Sequence, residues 1–180
     1  MVMTRLSKGM HVTGALVSVA CLLLAGCGNE TTDVRPLPEA DGKAESPTPV
    51  PKQPAALEAY RAMWRDLARA LETSDVNAPS LDDHASDGAL ELLKHGLRKA
   101  KEEGVVSKGE PVVNPRTVST SSHEVVVQDC VDGTDWLQYQ LNGELKNDVP
   151  GGHKKADATV RHDGRMWKVT DLYLHASGSC

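Results

Sequence analysis

Apolar and polar positions alternate along this chain in three regimes. The first is a short apolar run from Val12 to Leu24, broken by Thr13, Gly14 and Ser18 and preceded by Arg5 and Lys8. It falls short of the roughly 20 apolar residues that a helix needs to cross a hydrocarbon core. A basic start, an apolar middle and the small residues Ala25 and Gly26 give residues 1–26 the layout of a secretory leader. In the second regime, residues 27–53, apolar periodicity disappears. Pro36, Pro38, Pro47, Pro49 and Pro51 punctuate a polar stretch that cannot bury enough surface to fold. Ser46-Pro47-Thr48-Pro49-Val50-Pro51 favours extended polyproline conformation, so this stretch reads as a tether.

The third regime, residues 54–180, carries the periodicities of one folded domain. Leu57, Tyr60, Trp64, Leu67 and Leu71 recur at spacings of three and four, which predicts a helix starting near Pro54. Glu58, Arg61, Arg65, Asp66, Arg69 and Glu72 fall opposite and read as its solvated face. Leu81-Asp82-Asp83-His84 forms a short turn. Its carboxylates and histidine lack the fixed partners that metal or acid–base work requires, so they read as surface. A second long helix spans Asp87 to Glu103, with Ser86 or Asp87 as N-cap and Gly104 just past its end. Leu90, Leu93, Leu97 and Ala100 make its buried stripe.

From Val105 onward the period changes to two. Val105-Val106, Pro111 to Val113 and Arg116 to Thr120 suggest edge segments, because proline cannot join a central ladder. Glu124 to Val131 is the strongest strand and places Val125, Val127, Asp129 and Val131 on one face. Leu137, Tyr139 and Leu141 share a face of the next strand. A turn through Asp132-Gly133 would set Tyr139 opposite Val127, and Leu141 opposite Val125. After a loop from Asn142 to Gly152, Asp163-Gly164 signals a two-residue hairpin pairing Val160 with Trp167 and Ala158 with Val169. Beyond Thr170 the alternation slips, which predicts a bulge near Asp171. Helices first and strands afterwards predict an α+β domain, its N-terminal helices packed on a curved antiparallel sheet.

Composition narrows the picture only a little. A formal net charge of −5 argues against a nucleic-acid partner. Phe is absent, so Leu, Val and a few Trp and Tyr must build the core. His123, His153, His162 and His175 are scattered without the short spacings that put two metal ligands on one element. No metal site and no cofactor are expected.

Leu24-Ala25-Gly26-Cys27, closing the first apolar run, resembles the lipobox of bacterial lipoproteins. The resemblance implies cleavage before Cys27, a thioether-linked diacylglyceryl group on its sulfur, and a protein held on the extracytoplasmic face of the cell membrane. Two acyl chains anchor stably where one is marginal, at about 0.8 kcal/mol per buried methylene. With Cys21 in the leader and Cys27 acylated, Cys130 and Cys180 remain. Outside the cytoplasm such a pair is most simply a disulfide. The rival reading, a redox or metal pair, lacks a second cysteine near Cys180.

Tyr60 and Trp64 on the first helix, Val-Gln-Asp-Cys-Val-Asp at 127–132, Asp148-Val149-Pro150-Gly151-Gly152, Trp167-Lys168-Val169 and Cys180 together resemble a group of secreted actinobacterial proteins. The fold this implies is the cystatin-like cone of the nuclear transport factor 2-like superfamily. A strand between the early helices, common there, is not evident in this sequence. The superfamily contains both enzymes and binding domains, so the fold does not choose between them. Three functions are weighed. One is a lipid-anchored binding or accessory domain of the cell envelope, taking an envelope protein or a small apolar ligand. Another is an isomerase- or cyclase-like enzyme, with Asp129 as a carboxylate tuned by an apolar pocket and Tyr139 opposite it. The third is a structural assembly subunit. Lack of any other paired catalytic groups favours the first and a non-enzymatic role.

Overall fold

The computed structural model describes residues 52–147, 149 and 151–180. The leader, the Cys27 attachment point and most of the tether lie outside these residues. Three helices come first: α1 (Lys52–Leu71), α2 (Leu81–His84) and α3 (Asp87–Glu102). Six strands follow: β1 (Val105–Lys108), β2 (Arg116–Thr120), β3 (Glu124–Asp132), β4 (Leu137–Gln140), β5 (His153–His162) and β6 (Trp167–Leu174). Lys52 and Gln53, assigned above to the tether, are thus the first residues of α1. No helix among the described residues is long and apolar enough to cross a membrane.

The strands form two antiparallel sheets, one of four strands in the order β2-β3-β5-β6 and one pairing β1 with β4. Helices packed on antiparallel sheets make the domain α+β, as the order of periodicities predicts. Val125, Val127 and Val131 of β3, Ala156, Ala158 and Val160 of β5, and Val169 of β6 point inward. Tyr60, Met63 and Leu67 of α1 meet them, with Leu93 and Leu97 of α3 closing the same core. The alanines at 56, 59, 156 and 158 are all buried. Small side chains on both sides of an interface let helix and sheet backbones approach, which suits a core built without Phe.

Two pairings differ from the sequence expectation. β4 does not pair with β3. It pairs with β1, placing Tyr139 opposite Val106 and Gln140 opposite Val105. β3 is occupied on one side by β2 and along its full length on the other by β5, so Val127 faces Ala158. A nine-residue register that includes the apolar pairs Val125–Val160 and Val127–Ala158 buries more surface than four-residue β4 can offer, and it takes the position. The chain turns between Gly133 and Trp136, whose backbone N–H donates to the Gly133 carbonyl at 3.0 Å, and leaves the large sheet. The β5–β6 register is also shifted by two residues. His162 pairs with Trp167 and Val160 with Val169, so Asp163 to Met166 form the connection instead of Asp163-Gly164 alone. The Asp163 carboxylate accepts the backbone N–H groups of Arg165 (2.8 Å) and Met166 (2.9 Å), which fixes the longer turn. A shift of two preserves side-chain parity, so apolar still faces apolar. The register slips between Thr159 and Val160 against Asp171 and Val169, leaving Thr170 as the extra residue beside the expected position.

At the start of α3, Ser86 does not cap the helix with its side chain. Its hydroxyl donates to the Asp87 carboxylate at 2.9 Å instead. Between α2 and α3, where a strand was not evident in the sequence, a single parallel bridge joins Ala85 to Val169. The sulfurs of Cys130 and Cys180 lie 2.10 Å apart, with Cα atoms separated by 5.9 Å. This link crosses the outer face of the sheet, and the Lys155 N–H donates to Ser179 Oγ at 2.8 Å beneath it.

Candidate functional site

Asp129 follows the parity of β3 and faces inward among valines, where it is 4% exposed. Its Oδ1 accepts the backbone N–H of Asn114 at 3.0 Å. Its Oδ2 is buried with no hydrogen-bond partner among the described residues, and so is Tyr60 Oη. The two side chains are nevertheless close enough for each to affect the other's titration. Burial pushes the Tyr60 phenol far above its usual value, and the Asp129 charge pushes it further. Burial likewise raises the Asp129 carboxyl. The Asn114 and Cys130 N–H groups, and Tyr60, oppose that rise without cancelling it. The aromatic neighbour of Asp129 is therefore Tyr60 on α1, not Tyr139. The ring of Tyr139 lies beneath Lys108 Nζ, 4.6 Å from its centroid, on the two-stranded sheet.

A carboxyl whose folded-state pKa is raised destabilises the fold once it ionises. Below the unfolded carboxylate value, about 3.9, both states are protonated and the cost is absent. It grows as pH rises through the folded pKa. Asp129→Asn keeps an acceptor for Asn114 and removes the charge. The variant is expected to melt above the wild type at pH 7, with the gap closing as pH falls into the carboxylate range. Thermal melts of both proteins from pH 3.5 to pH 8 measure this, and a gap that widens in acid would contradict it.

A cavity of about 530 Å³ opens between α1, α3 and the sheets, and neither Tyr60 nor Asp129 lines it. Trp64, Leu71, Val131, Trp136 and Leu174 supply its apolar wall. Trp64 stands edge-on to both Tyr60 and Trp136, each with ring centroids 6.2 Å away. Lys99, Glu103, Lys146 and Lys154 supply the charge. Glu103 takes two of the lysines: Lys146 in a close ion pair and Lys99 at 3.8 Å. The Lys146 contact holds the Glu103 carboxyl below its usual value. Gly96 lines the opening from the middle of α3, and a Cβ there would meet nothing within 4 Å. On the far side, Gly151 lies so close to Gly133 that a Cβ would fall 2.3 Å from the Gly133 carbonyl oxygen. Only glycine fits, and this contact ties the 141–152 loop to the end of β3. Neither Asp129 nor Tyr139 belongs to the lining.

Sequence periodicity missed one polar cluster. Asp66, read above as solvated, is 2% exposed. It pairs closely with Arg69, and its Oδ2 lies 2.7 Å from His84 Nδ1. His84 therefore has the fixed partner that the sequence reading denied it. A signal was present, because Ala59, Met63, Asp66 and Ala70 form a second stripe at spacings of four, three and four. An acid in a stripe otherwise apolar needs a buried partner.

No protein-family model matches this sequence, and no curated protein is significantly similar to it. Solved structures are similar in shape. The intermembrane space region of chloroplast protein ARC6 superposes with a TM-score of 0.54 at 15% identity, over 72% of this chain and 100% of that one. An NTF2-like protein from Cytophaga hutchinsonii gives 0.47 at 12% identity, over 71% and 99%. A protein of unknown function with a cystatin-like fold from Nostoc punctiforme gives 0.41 at 13% identity, over 71% and 92%. At such identities the likeness is one of fold.

Proposed function

We propose that the chain is a lipid-anchored, extracytoplasmic binding domain of the cell envelope, and that its ligand occupies the cavity between α1, α3 and the sheets. The cavity itself carries the reading. About 530 Å³ of space, a wall that includes Trp64 and Trp136, and a few charged groups match the size and lining of small-molecule sites. Gly96 lines the cavity from the middle of α3, and a Cβ there would meet nothing within 4 Å, so a large side chain can be introduced at this wall without a clash at its base. The isomerase-like alternative has less support. Asp129 is buried beside Tyr60 but is not on the cavity wall, so no substrate in the cavity would touch it.

Two substitutions in the full-length chain separate the anchor from the cavity. Cys27→Ser should move the protein from the membrane fraction to the soluble fraction and leave ligand uptake unchanged. Gly96→Phe should leave fractionation unchanged and abolish uptake of the fluorescent amphiphile 11-(dansylamino)undecanoate methyl ester. Unaltered membrane association in the first variant would remove the anchor. Unaltered uptake in the second would remove the cavity.

A further inference from the structure

We infer that this cavity selects an amphiphilic carboxylic acid and that Lys154 receives the carboxylate. The inference rests on the binding reading above and adds the class of ligand. Lys154 pairs across the sheet with Val131, which is buried and points toward the helices, so the lysine shares the inward face. Lys154 is half-buried on that face, and an ammonium set against apolar walls is favoured where an anion can meet it. Among the described residues the cavity wall holds three lysines against one carboxylate, Glu103, which Lys99 and Lys146 already share. Lys154 makes no ion pair among the described residues.

The next residue shows the contrast. Lys155 points to the outer face, and there the chain supplies Asp157, 3.6 Å from its Nζ. The outward lysine has its counter-ion built in, and the inward one faces a cavity walled by Trp64, Trp136 and Leu174. An unbalanced cation in a concave, low-dielectric wall concentrates anions, and an ammonium takes a carboxylate without demanding a fixed bidentate geometry. Apolar surface and a net positive wall, with Lys154 the lysine that Glu103 does not reach, together describe a ligand with a hydrophobic body and an acid group.

The test compares 11-(dansylamino)undecanoate with its methyl ester, which has the same body and no charge. Both are titrated into the full-length chain and read by dansyl emission on tryptophan excitation. Trp64 and Trp136 line the cavity and Trp167 does not, so the acid and its ester are compared as a difference between two dyes with the same body. The acid should bind about tenfold more tightly than the ester, as expected for one charge-assisted contact. Lys154→Met should remove that preference while keeping ester affinity, which also reports an intact cavity. Lys154→Arg and Lys155→Met should both retain the preference. Equal binding of acid and ester by the wild type, or a preference that survives Lys154→Met, would overturn the assignment and leave the cavity reading standing. If neither dye binds, the binding reading falls and this inference with it.

Discussion

Truncating Tyr60 to alanine is expected to cost about 3–5 kcal/mol of folding stability, the range for removing a large aromatic side chain from a core. Tyr60 is fully buried on α1 and stands edge-on to Trp64. Its loss removes apolar contact on the inner face of the sheet and leaves a void that neighbouring backbone cannot close. Tyr60→Phe separates the ring from its hydroxyl. Because the Oη has no hydrogen-bond partner among the described residues, that variant should stay within about 1 kcal/mol of the wild type. Urea unfolding of the three proteins distinguishes the two contributions. A Phe variant as damaged as the Ala variant would mean that the hydroxyl, and its proximity to Asp129, holds the core.

Opening the link between Cys130 and Cys180 is expected to have a comparable effect by a different route. The two cysteines are separated by 50 positions. Loop-closure entropy for a ring of that size gives about 4 kcal/mol, exerted on the unfolded chain and not through contacts in the folded one. The double variant Cys130→Ser/Cys180→Ser should therefore lose this stability in oxidising buffer and show no further response to reductant. The wild type should fall to the variant's level when reduced. Equal midpoints for wild type and variant in oxidising buffer would show that the link adds nothing.

Periodicity made most of the fold legible. The stripe from Leu57 to Leu71 and the alternation of Glu124 to Val131 correspond to α1 and β3, because each buries one face against a continuous core. Pairing was less legible, since it depends on competition between segments distant in the chain. The Asp132-Gly133 turn argued for a β3–β4 hairpin on local grounds. Longer β5 displaced β4 by offering more apolar partners, and Tyr139 went with β4 to the smaller sheet. Asp129 could be placed on the inner face from parity alone. Its partner Tyr60 could not, because helix and strand meet there only through tertiary packing. The cavity was illegible for the same reason: Lys99, Lys146 and Lys154 come from a helix, a loop and a strand. The pairing of Lys154 with Val131 fixes which face that lysine occupies, and this too depends on tertiary pairing.

The sulfur bridge also determines how the domain would bear tension. A pull between Lys52 and Cys180 would pass along the chain to Cys130 and leave directly through the bridge, bypassing everything between the two cysteines. β4, β5 and β6 would lie outside the covalent line of load and would feel it only through their packing on α1 and β3. Reduction would put those strands back in the line of force. Under a load applied at Cys180, the covalent cross-link would act as a mechanical bypass for the segment between the two cysteines.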